Sequence, residues 1–148
     1  MSKETAIQFR YPARLQPDLS GEITVSFRDF PECLTSGADE PAALVEARDA
    51  LEEAVAGRID DGEPIPPPSR RRAGEHYVAV PPDMAAKAAF ALAFRDSGLS
   101  RLAIAGRLGV DEKVVRRMLD PLHHTAANRI HKALRSLGRE LVVEFRVA

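Results

Sequence analysis

A basic segment with two helix start signals occupies residues 100–119 and offers the clearest chemistry in the chain. Ser100 and Asp111 are residue types that commonly precede a helix. Gly109, between them, suits the positive φ of a tight turn. The spacing therefore predicts a helix-turn-helix whose second helix could contact base edges in the DNA major groove. The side chains predicted to point outward from that helix are Glu112, Lys113, Val114, Arg116 and Arg117.

Two apolar pairs should close a small core beneath these helices. Ile104 and Leu108 are four residues apart, and so are Val115 and Leu119, which places each pair on one helix face. Ala105 is small enough for the two helices to cross closely. The same pattern also occurs in all-α domains that never touch nucleic acid, so that alternative stays open.

The elements before this segment predict a small α+β module. Residues 7–15 and 23–27 alternate apolar and polar side chains, as half-buried strands do, and residues 34–36 favour a third short strand. Pro12 within the first strand favours an edge position or the outer side of the strand. Asp39 should cap a helix that runs to about Asp60 and covers the sheet.

A Pro-rich linker at about residues 62–74 is predicted to separate two domains, residues 1–69 and 81–148. A short strand at 76–80 follows the linker, and four helices come after it: one from Met84 to about Arg95, the two of the helix-turn-helix, and one from about Thr125 to Leu137. Alternating residues at 140–147 predict a C-terminal strand, which would pair with residues 77–80 or with the same segment of a second copy. The predicted fold class is thus α+β: a small antiparallel sheet with one covering helix, joined to an all-α helix-turn-helix domain that has a C-terminal strand.

Charge divides the chain at the same place. Residues 1–69 carry 6 basic and 14 acidic side chains, whereas residues 70–148 carry 15 basic and 8 acidic ones, within a net charge of −1. The division indicates two partners of opposite charge. Four of the acidic residues lie on the outer face of the predicted first helix: Glu46, Asp49, Glu52 and Glu53.

Several classes of site and location are not expected. A lone Cys33 excludes an internal disulfide and a multi-cysteine zinc site. His123, His124 and His131 match no structural zinc spacing, so we expect no metal and no cofactor. The sequence shows neither an apolar signal core nor a run long enough to span a membrane, which favours a cytoplasmic protein.

With these motifs in place, the chain resembles the HicB family of antitoxins from HicAB toxin–antitoxin pairs. The resemblance rests on Tyr11-Pro12-Ala13, on residues 25–33 (VSFRDFPEC) and 35–37 (TSG), and on residues 61–69 (DGEPIPPPS) after the helix at 40–54. From about residue 82 onward the chain is similar to the Cro/repressor-like helix-turn-helix form of that family.

The resemblance implies a partial RNase H-like first domain that binds and blocks a HicA-type mRNA-cleaving toxin. It also implies that the second domain represses its own operon by binding operator DNA, as a homodimer or tetramer formed through that domain. The residues implied to contact base edges are Glu112, Lys113 and Arg117, with Arg116 beside them, Asp111 at the helix start and Val114 placed to meet a thymine methyl group. Arg101 matches a phosphate-contact position. Arg107, His123 and His124 are weaker phosphate candidates, for which solvated surface is an equal alternative. For the toxin, the acidic candidates are Asp29, Glu32, Glu46, Asp49, Glu52 and Glu53.

Two other functions remain alternatives. An RNase H-like domain that still cuts nucleic acid would need several carboxylates around divalent metals. Asp18, Glu22, Asp29 and Glu32 are available, but none lies in the middle of a strand, so we expect no catalytic residues and no enzyme activity. The other alternative is a helix-turn-helix regulator whose acidic domain senses another ligand or protein.

Overall fold

A computed structural model describes residues 6–147, which form two compact units. The first unit contains the chain up to Gly57 together with Pro66–Pro81, and the second contains Arg58–Ile65 together with the chain from Pro82 onward. The α+β class is confirmed. The strands are β1 (Arg10–Pro17), β2 (Ile23–Phe27), β3 (Phe30–Gly37) and β4 (His76–Ala79), and the helices are α1 (Glu40–Asp60), α2 (Pro82–Ser97), α3 (Arg101–Leu108), α4 (Glu112–Met118) and α5 (Ala127–Ser136).

The first unit is built on an antiparallel sheet in the order β3-β2-β1-β4. Alternate side chains of β1 and β2 point into its core, as the period of two predicts: Tyr11, Ala13, Val25 and Phe27 are all buried. The ring of Phe30 meets that of Tyr11 edge to face, with 4.8 Å between centroids. The sheet therefore has one apolar face, which α1 must cover.

The sequence predicts Pro12 in an edge position or on the outer side of its strand. In the structure it lies in β1, a central strand of this sheet. Its backbone partner is Tyr77 of β4, while the pairing of β1 with β2 begins only at Ala13. Pro12 thus sits in the part of β1 that has a neighbouring strand on one side only. The missing N–H of proline is tolerated there for the same reason that it is tolerated on an edge strand.

Helix α1 begins and ends where the sequence predicts. The Asp39 carboxylate accepts a hydrogen bond from the backbone N–H of Ala42 at 2.8 Å, which satisfies one of the free donors of the first turn. The stripe that faces the sheet consists of Ala43, Ala47, Leu51 and Val55, all buried. The opposite, acidic face is left to solvent.

At Gly37 the backbone of β3 lies close against the backbone of α1. A Cβ atom at this position would lie 2.6 Å from the Cα of Ala43 and 2.7 Å from the carbonyl carbon of Ala42. Both neighbours are backbone atoms, so they cannot move aside alone. We expect Gly37→Ala to lower the free energy of unfolding by about 3 kcal/mol, measured by urea denaturation.

Gly57 provides the matched control, because it lies inside α1 and a Cβ there would meet nothing within 4 Å. Gly57→Ala should raise the free energy of unfolding by up to about 1 kcal/mol through helix propensity alone. Equal effects of the two substitutions would contradict the close approach at Gly37.

The Pro-rich segment, which its composition predicts to be a semi-rigid spacer, is bonded to the first unit along much of its length. The hydroxyl of Tyr11 donates to the carbonyl of Pro66 at 2.8 Å, and Ser69 donates from both N and Oγ to the Asp29 carboxylate, at 2.9 and 2.5 Å. Glu75, at the end of the same segment, forms an ion pair with Arg28, with 3.0 Å between Glu75 Oε1 and Arg28 Nη2. Side chains of the first unit therefore hold residues 66–75 in place, and strand β4 follows directly.

The second unit packs helices α2 to α5 around one apolar core. The largest of its fully buried side chains are Phe90, Ile104, Met118 and Ile130. The segment from Arg58 to Ile65 belongs to this unit, and Arg95 of α2 donates to the carbonyl of Gly62 at 2.9 Å. No helix within residues 6–147 is long and apolar enough to cross a membrane.

The predicted C-terminal strand is wrong for the single chain, since residues 139–147 form no strand. One expected partner, β4, is already paired with β1 on one side. The backbone N–H of Leu141 donates to His131 Nδ1 at 3.2 Å, which anchors the start of the segment to α5. Beyond that anchor the apolar side chains are open to solvent: Val142, Val143, Phe145 and Val147 are 75%, 86%, 94% and 95% exposed.

Candidate functional site

Helices α3 and α4 are joined by the tight turn that the sequence predicts. Ser100 Oγ accepts a hydrogen bond from the N–H of Ala103 at 3.0 Å, and Asp111 Oδ1 accepts one from the N–H of Lys113 at 2.9 Å. Gly109 has φ +66°, a conformation that other residues adopt only with strain. Both predicted caps and the predicted turn are confirmed. Because the Asp111 side chain is used as a cap, it contributes to α4 by holding its first turn.

The core beneath the two helices differs from the prediction in that Leu108 and Leu119 are only partly buried, although both pack against it. Ile104, Ala105 and Val115 are buried as expected. Met118 is also buried, while Leu119 is only partly buried, because α4 ends at Met118 and the chain turns away at the next residue. The pairing of the helices is otherwise the one that the apolar spacing predicts.

The exposed face of α4 is strongly basic. Lys113, Arg116 and Arg117 are all exposed, and Arg116 and Arg117 lie in the last turn. An α-helix with its side chains is about 10–12 Å across, which matches a major groove about 12 Å wide. The arrangement presents three cations to one side of a short, capped helix.

Glu112 and Arg101 are not independent, although the sequence assigned them separate contacts. Arg101 Nε lies 3.3 Å from Glu112 Oε1, so that the first residue of α3 is paired with the first residue of α4. The Arg101 side chain is half exposed. The pair neutralises the one acidic side chain in the first turn of α4, and the basic residues dominate the charge of this surface.

Val114 points partly inward. It is half-buried and packs against the core of the second unit, where it lines two cavities of about 210 and 170 Å³.

The smaller cavity is surrounded by basic and histidine side chains. They are Arg117, His123, His124 and Arg129. His124 lies 4.0 Å from Asp83 and is largely exposed. Arg129, at the start of α5, is a cationic neighbour of this surface that sequence reasoning missed.

Lys87 is the other residue that sequence reasoning missed, and it supports α4 from below. Only 4% of its surface is exposed. Its ammonium group donates to the carbonyls of Arg117 and Asp120, at 3.0 and 2.7 Å, and to Thr125 Oγ1 at 3.3 Å. A cation at this end of a helix also complements the helix dipole. The signal in the sequence was a lone lysine within the otherwise apolar stretch 84–94 of α2.

The acidic candidates of the first unit divide into two groups. Glu46, Asp49 and Glu53 are exposed and recur at helical spacing along one face of α1, with Glu52 half-buried beside them. Asp29 is half-buried and is occupied by Ser69, as described above, while Glu32 lies exposed on β3. The face of α1 therefore carries the concentrated negative charge, and Asp29 has a structural role.

Two further side chains that could react or bind a metal, Cys33 and Asp18, are each constrained by the groups around them. Burial raises the pKa of the Cys33 thiol to about 11, with smaller contributions from Glu32 and Glu53, so the reactive thiolate is scarce at neutral pH. Asp18 accepts hydrogen bonds from the backbone N–H groups of Ser20 and Glu22 within a turn. Among the described residues, no three His, Cys, Asp or Glu side chains lie where they could share a metal ion.

Comparison with known proteins gives a consistent set of matches. Residues 10–89 match the family model described as HicB_like antitoxin of bacterial toxin-antitoxin system. The chain is 38% identical to the protein named Antitoxin HicB 1 of Photorhabdus laumondii over 134 residues, which cover 90% of this chain and 85% of that protein. It is 35% identical to Antitoxin HicB of Escherichia coli K12 over 132 residues, or 89% and 96% of the two chains. Identity to Antitoxin HicB of Pseudomonas fluorescens is 29% over 144 residues, covering 97% and 98%.

Proposed function

Because this chain belongs to the HicB-like antitoxin family of bacterial toxin–antitoxin systems, we propose that it neutralises a HicA-type, mRNA-cleaving toxin and represses its own operon. The two activities are assigned to the two units. The first unit covers the toxin, and the second binds operator DNA through α3 and α4, acting as a helix-turn-helix. The role is non-catalytic and cytoplasmic, with the first unit taken as a partial RNase H-like fold.

The acidic face of α1 supports the toxin-binding half of the proposal. A protein that cleaves RNA must be positively charged where it holds phosphates. Exposed carboxylates at Glu46, Asp49 and Glu53 have the charge and spacing to attract such a surface and to compete with RNA for it. Asp29 is better assigned to holding the segment after residue 66 than to the toxin itself.

The basic face of α4 supports the DNA-binding half, and it is the observation on which that half mainly depends. Lys113, Arg116 and Arg117 are exposed on a helix that is capped at its start and held at its end by a buried lysine. Such a rigid, short helix with donors for guanine is what major-groove recognition requires. Operators are commonly read as paired half-sites, so the repressor is proposed to act as a homodimer or tetramer formed through the second unit.

A charge reversal on α1 tests the toxin-binding half. The triple substitution Glu46→Lys, Asp49→Lys and Glu53→Lys should slow association with the toxin encoded by the adjacent gene by roughly 10- to 1,000-fold. Inhibition of RNA cleavage at limiting antitoxin would fall accordingly. The measurement is the association rate by stopped flow or surface plasmon resonance at low salt.

The matched control changes the same charge elsewhere. Asp60, Asp61 and Glu63 are exposed and lie in the segment that belongs to the second unit. Reversing all three alters the net charge equally and should leave most of the association rate intact. If both triple variants slow association equally, overall charge rather than the α1 face attracts the toxin. Failure of the unmodified chain to bind that toxin at all would favour the alternative, a regulator whose acidic unit senses another ligand.

A further inference from the structure

The sheet of the first unit has a second face that α1 does not cover. Alternate residues of a strand point to opposite faces, so Arg10 and Arg14 of β1 lie on the side opposite the buried Ala13. Tyr77 of β4 lies on that same side, because it is directly opposed to Pro12 of β1. Arg14 and Tyr77 are exposed there, so this face is open to solvent at β1 and β4.

A loop rich in arginine is fixed at one end of the open face. The backbone N–H of Arg71 donates to the Tyr77 hydroxyl at 2.9 Å, and the guanidinium of Arg28 donates to the carbonyl of Arg70. Residues 70–72 are exposed. We call the basic side chains brought together in this way the arginine face: Arg10, Arg14, Arg28, Arg70, Arg71 and Arg72.

The arginine face is strongly positive although the first unit as a whole is acidic. Glu75 lies within the face, and its two carboxylate oxygens accept from Arg28 Nε and Nη2 at 3.1 and 3.0 Å. Arg28 therefore neutralises Glu75, and the charge of the other five arginines dominates. The acidic face of α1 lies on the opposite side of the sheet. A basic protein attracted to α1 would be repelled by the arginine face, so charge complementarity selects a polyanion as its partner.

An aromatic ring lies among these cations. The guanidinium carbon of Arg10 is 4.2 Å from the centroid of the Tyr77 ring, which is a cation–π contact. Aromatic rings and guanidinium planes are surfaces on which unpaired bases stack, while cations around them hold phosphates. A sheet face does not enter the DNA major groove, which admits a helix or a two-stranded ribbon. The combination therefore suits a single strand better than a duplex.

We propose that the arginine face binds single-stranded RNA without sequence preference, with a base stacked at Tyr77 and Arg10 and with the other arginines at phosphates. The Cα atoms of Arg10 and Arg14 are about 13 Å apart along β1, so several nucleotides can follow this strand. Neither toxin binding nor operator binding uses this face. The choice of RNA over single-stranded DNA rests on the proposed function, because the substrate of the toxin is mRNA.

Fluorescence anisotropy with a labelled oligo(U) RNA of about 12 nucleotides tests the proposal on the full-length chain, without toxin or operator. The triple variant Arg14→Gln, Arg70→Gln and Arg72→Gln should lower the salt slope of log K by about 2, since each phosphate contact to a single strand contributes about 0.7. At about 0.1 M salt this corresponds to roughly 100-fold weaker binding. Arg28 and Arg71 stay unchanged, because their side chains hold Glu75 and the loop in place.

The matched control removes the same charge from α4. The triple variant Lys113→Gln, Arg116→Gln and Arg117→Gln should lose operator binding and keep its affinity for oligo(U) within about threefold. The arginine-face variant should show the opposite pattern. Equal loss of RNA binding in the two triple variants would overturn the proposal, because overall charge rather than the arginine face would then hold the RNA.

Substitutions at Tyr77 test the stacking. Tyr77→Leu removes the ring and should weaken oligo(U) binding roughly 5- to 150-fold, whereas Tyr77→Phe keeps the ring and should bind within about threefold of the original chain. A leucine variant that binds as tightly as the original chain would overturn the stacked base.

Three further outcomes would refute the assignment to single-stranded RNA: no binding of oligo(U) by the original chain, tighter binding of oligo(dT) DNA, or equal competition by an RNA duplex. These results are separate from the proposed function. A chain that binds oligo(U) through the arginine face but leaves the toxin active would retain the RNA site and remove the antitoxin role. A chain that neutralises the toxin and ignores oligo(U) would do the reverse.

Discussion

Replacing Lys87 with methionine is expected to lower the free energy of unfolding by about 3 kcal/mol, because the substitution keeps the apolar stem and removes the ammonium group. The carbonyls of Arg117 and Asp120 and the hydroxyl of Thr125 would lose their donor. Removing one partner of a buried, charged hydrogen bond costs about 1.5–3 kcal/mol, and several bonds are lost here at once. Urea denaturation measures the change directly.

Lys113→Met is the control, since Lys113 is exposed and its change should stay within about 0.5 kcal/mol. Equal stability of the Lys87 and Lys113 variants would contradict the role assigned to the buried amine. The Lys87 variant should also bind operator DNA less tightly when still folded, because the end of α4 and the chain after it would no longer be fixed.

The same lysine gives stability a pH dependence of unusual sign. Burial holds the pKa of Lys87 below its ordinary value of 10.5, although Asp120 and Asp83 act in the opposite direction. Between the two pKa values the unfolded chain binds more protons than the folded chain, so stability rises with pH in that interval. The stability of the original chain relative to Lys87→Met should therefore increase as the pH rises towards 10.5, the ordinary pKa of lysine.

Replacing Arg117 with alanine is expected to weaken operator binding by about 1–3 kcal/mol, or roughly 5- to 150-fold, and to relax sequence preference at one base pair. Arg117 is exposed on the last turn of α4, where its guanidinium can donate two parallel hydrogen bonds to a guanine edge. Gel-shift titrations with the operator and with single-base variants of it measure both effects.

Arg135→Ala removes the same charge from the last turn of α5 and serves as the comparison. It should weaken binding to all sequences slightly and equally, since only the overall charge changes. If Arg117→Ala weakens binding uniformly across the variant operators, Arg117 contacts phosphate rather than a base, and the base-reading role passes to Lys113 or Arg116.

Local chemistry explains why much of the second unit could be predicted. Ser100, Gly109 and Asp111 each meet a need of the adjacent backbone, a cap or a positive φ, and such needs are satisfied within three or four residues. The apolar spacing of α1 likewise predicts the burial of Ala47, Leu51 and Val55. Residues that act through local hydrogen bonds or through periodicity are the ones that sequence reasoning located.

The features that were missed depend on residues far apart in the chain. Lys87 contacts groups 30–38 positions away, and Asp29 contacts a segment 40 positions away. No spacing rule connects such residues, so the proline-rich stretch was expected to be a spacer and the lysine was not singled out. The predicted C-terminal strand was wrong in the single chain because alternation indicates a strand but supplies no neighbour for it.

The division of the chain into units has a consequence for how this protein could be shortened. A fragment that ends at residue 69 loses β4 and leaves β1 with an open edge, and a fragment that begins at residue 82 loses the stretch from Arg58 to Ile65. Because the backbone passes between the two units three times, no single cut yields both of them intact. Gene fusions or rearrangements that exchange one unit for another would have to replace two separate stretches of coding sequence together.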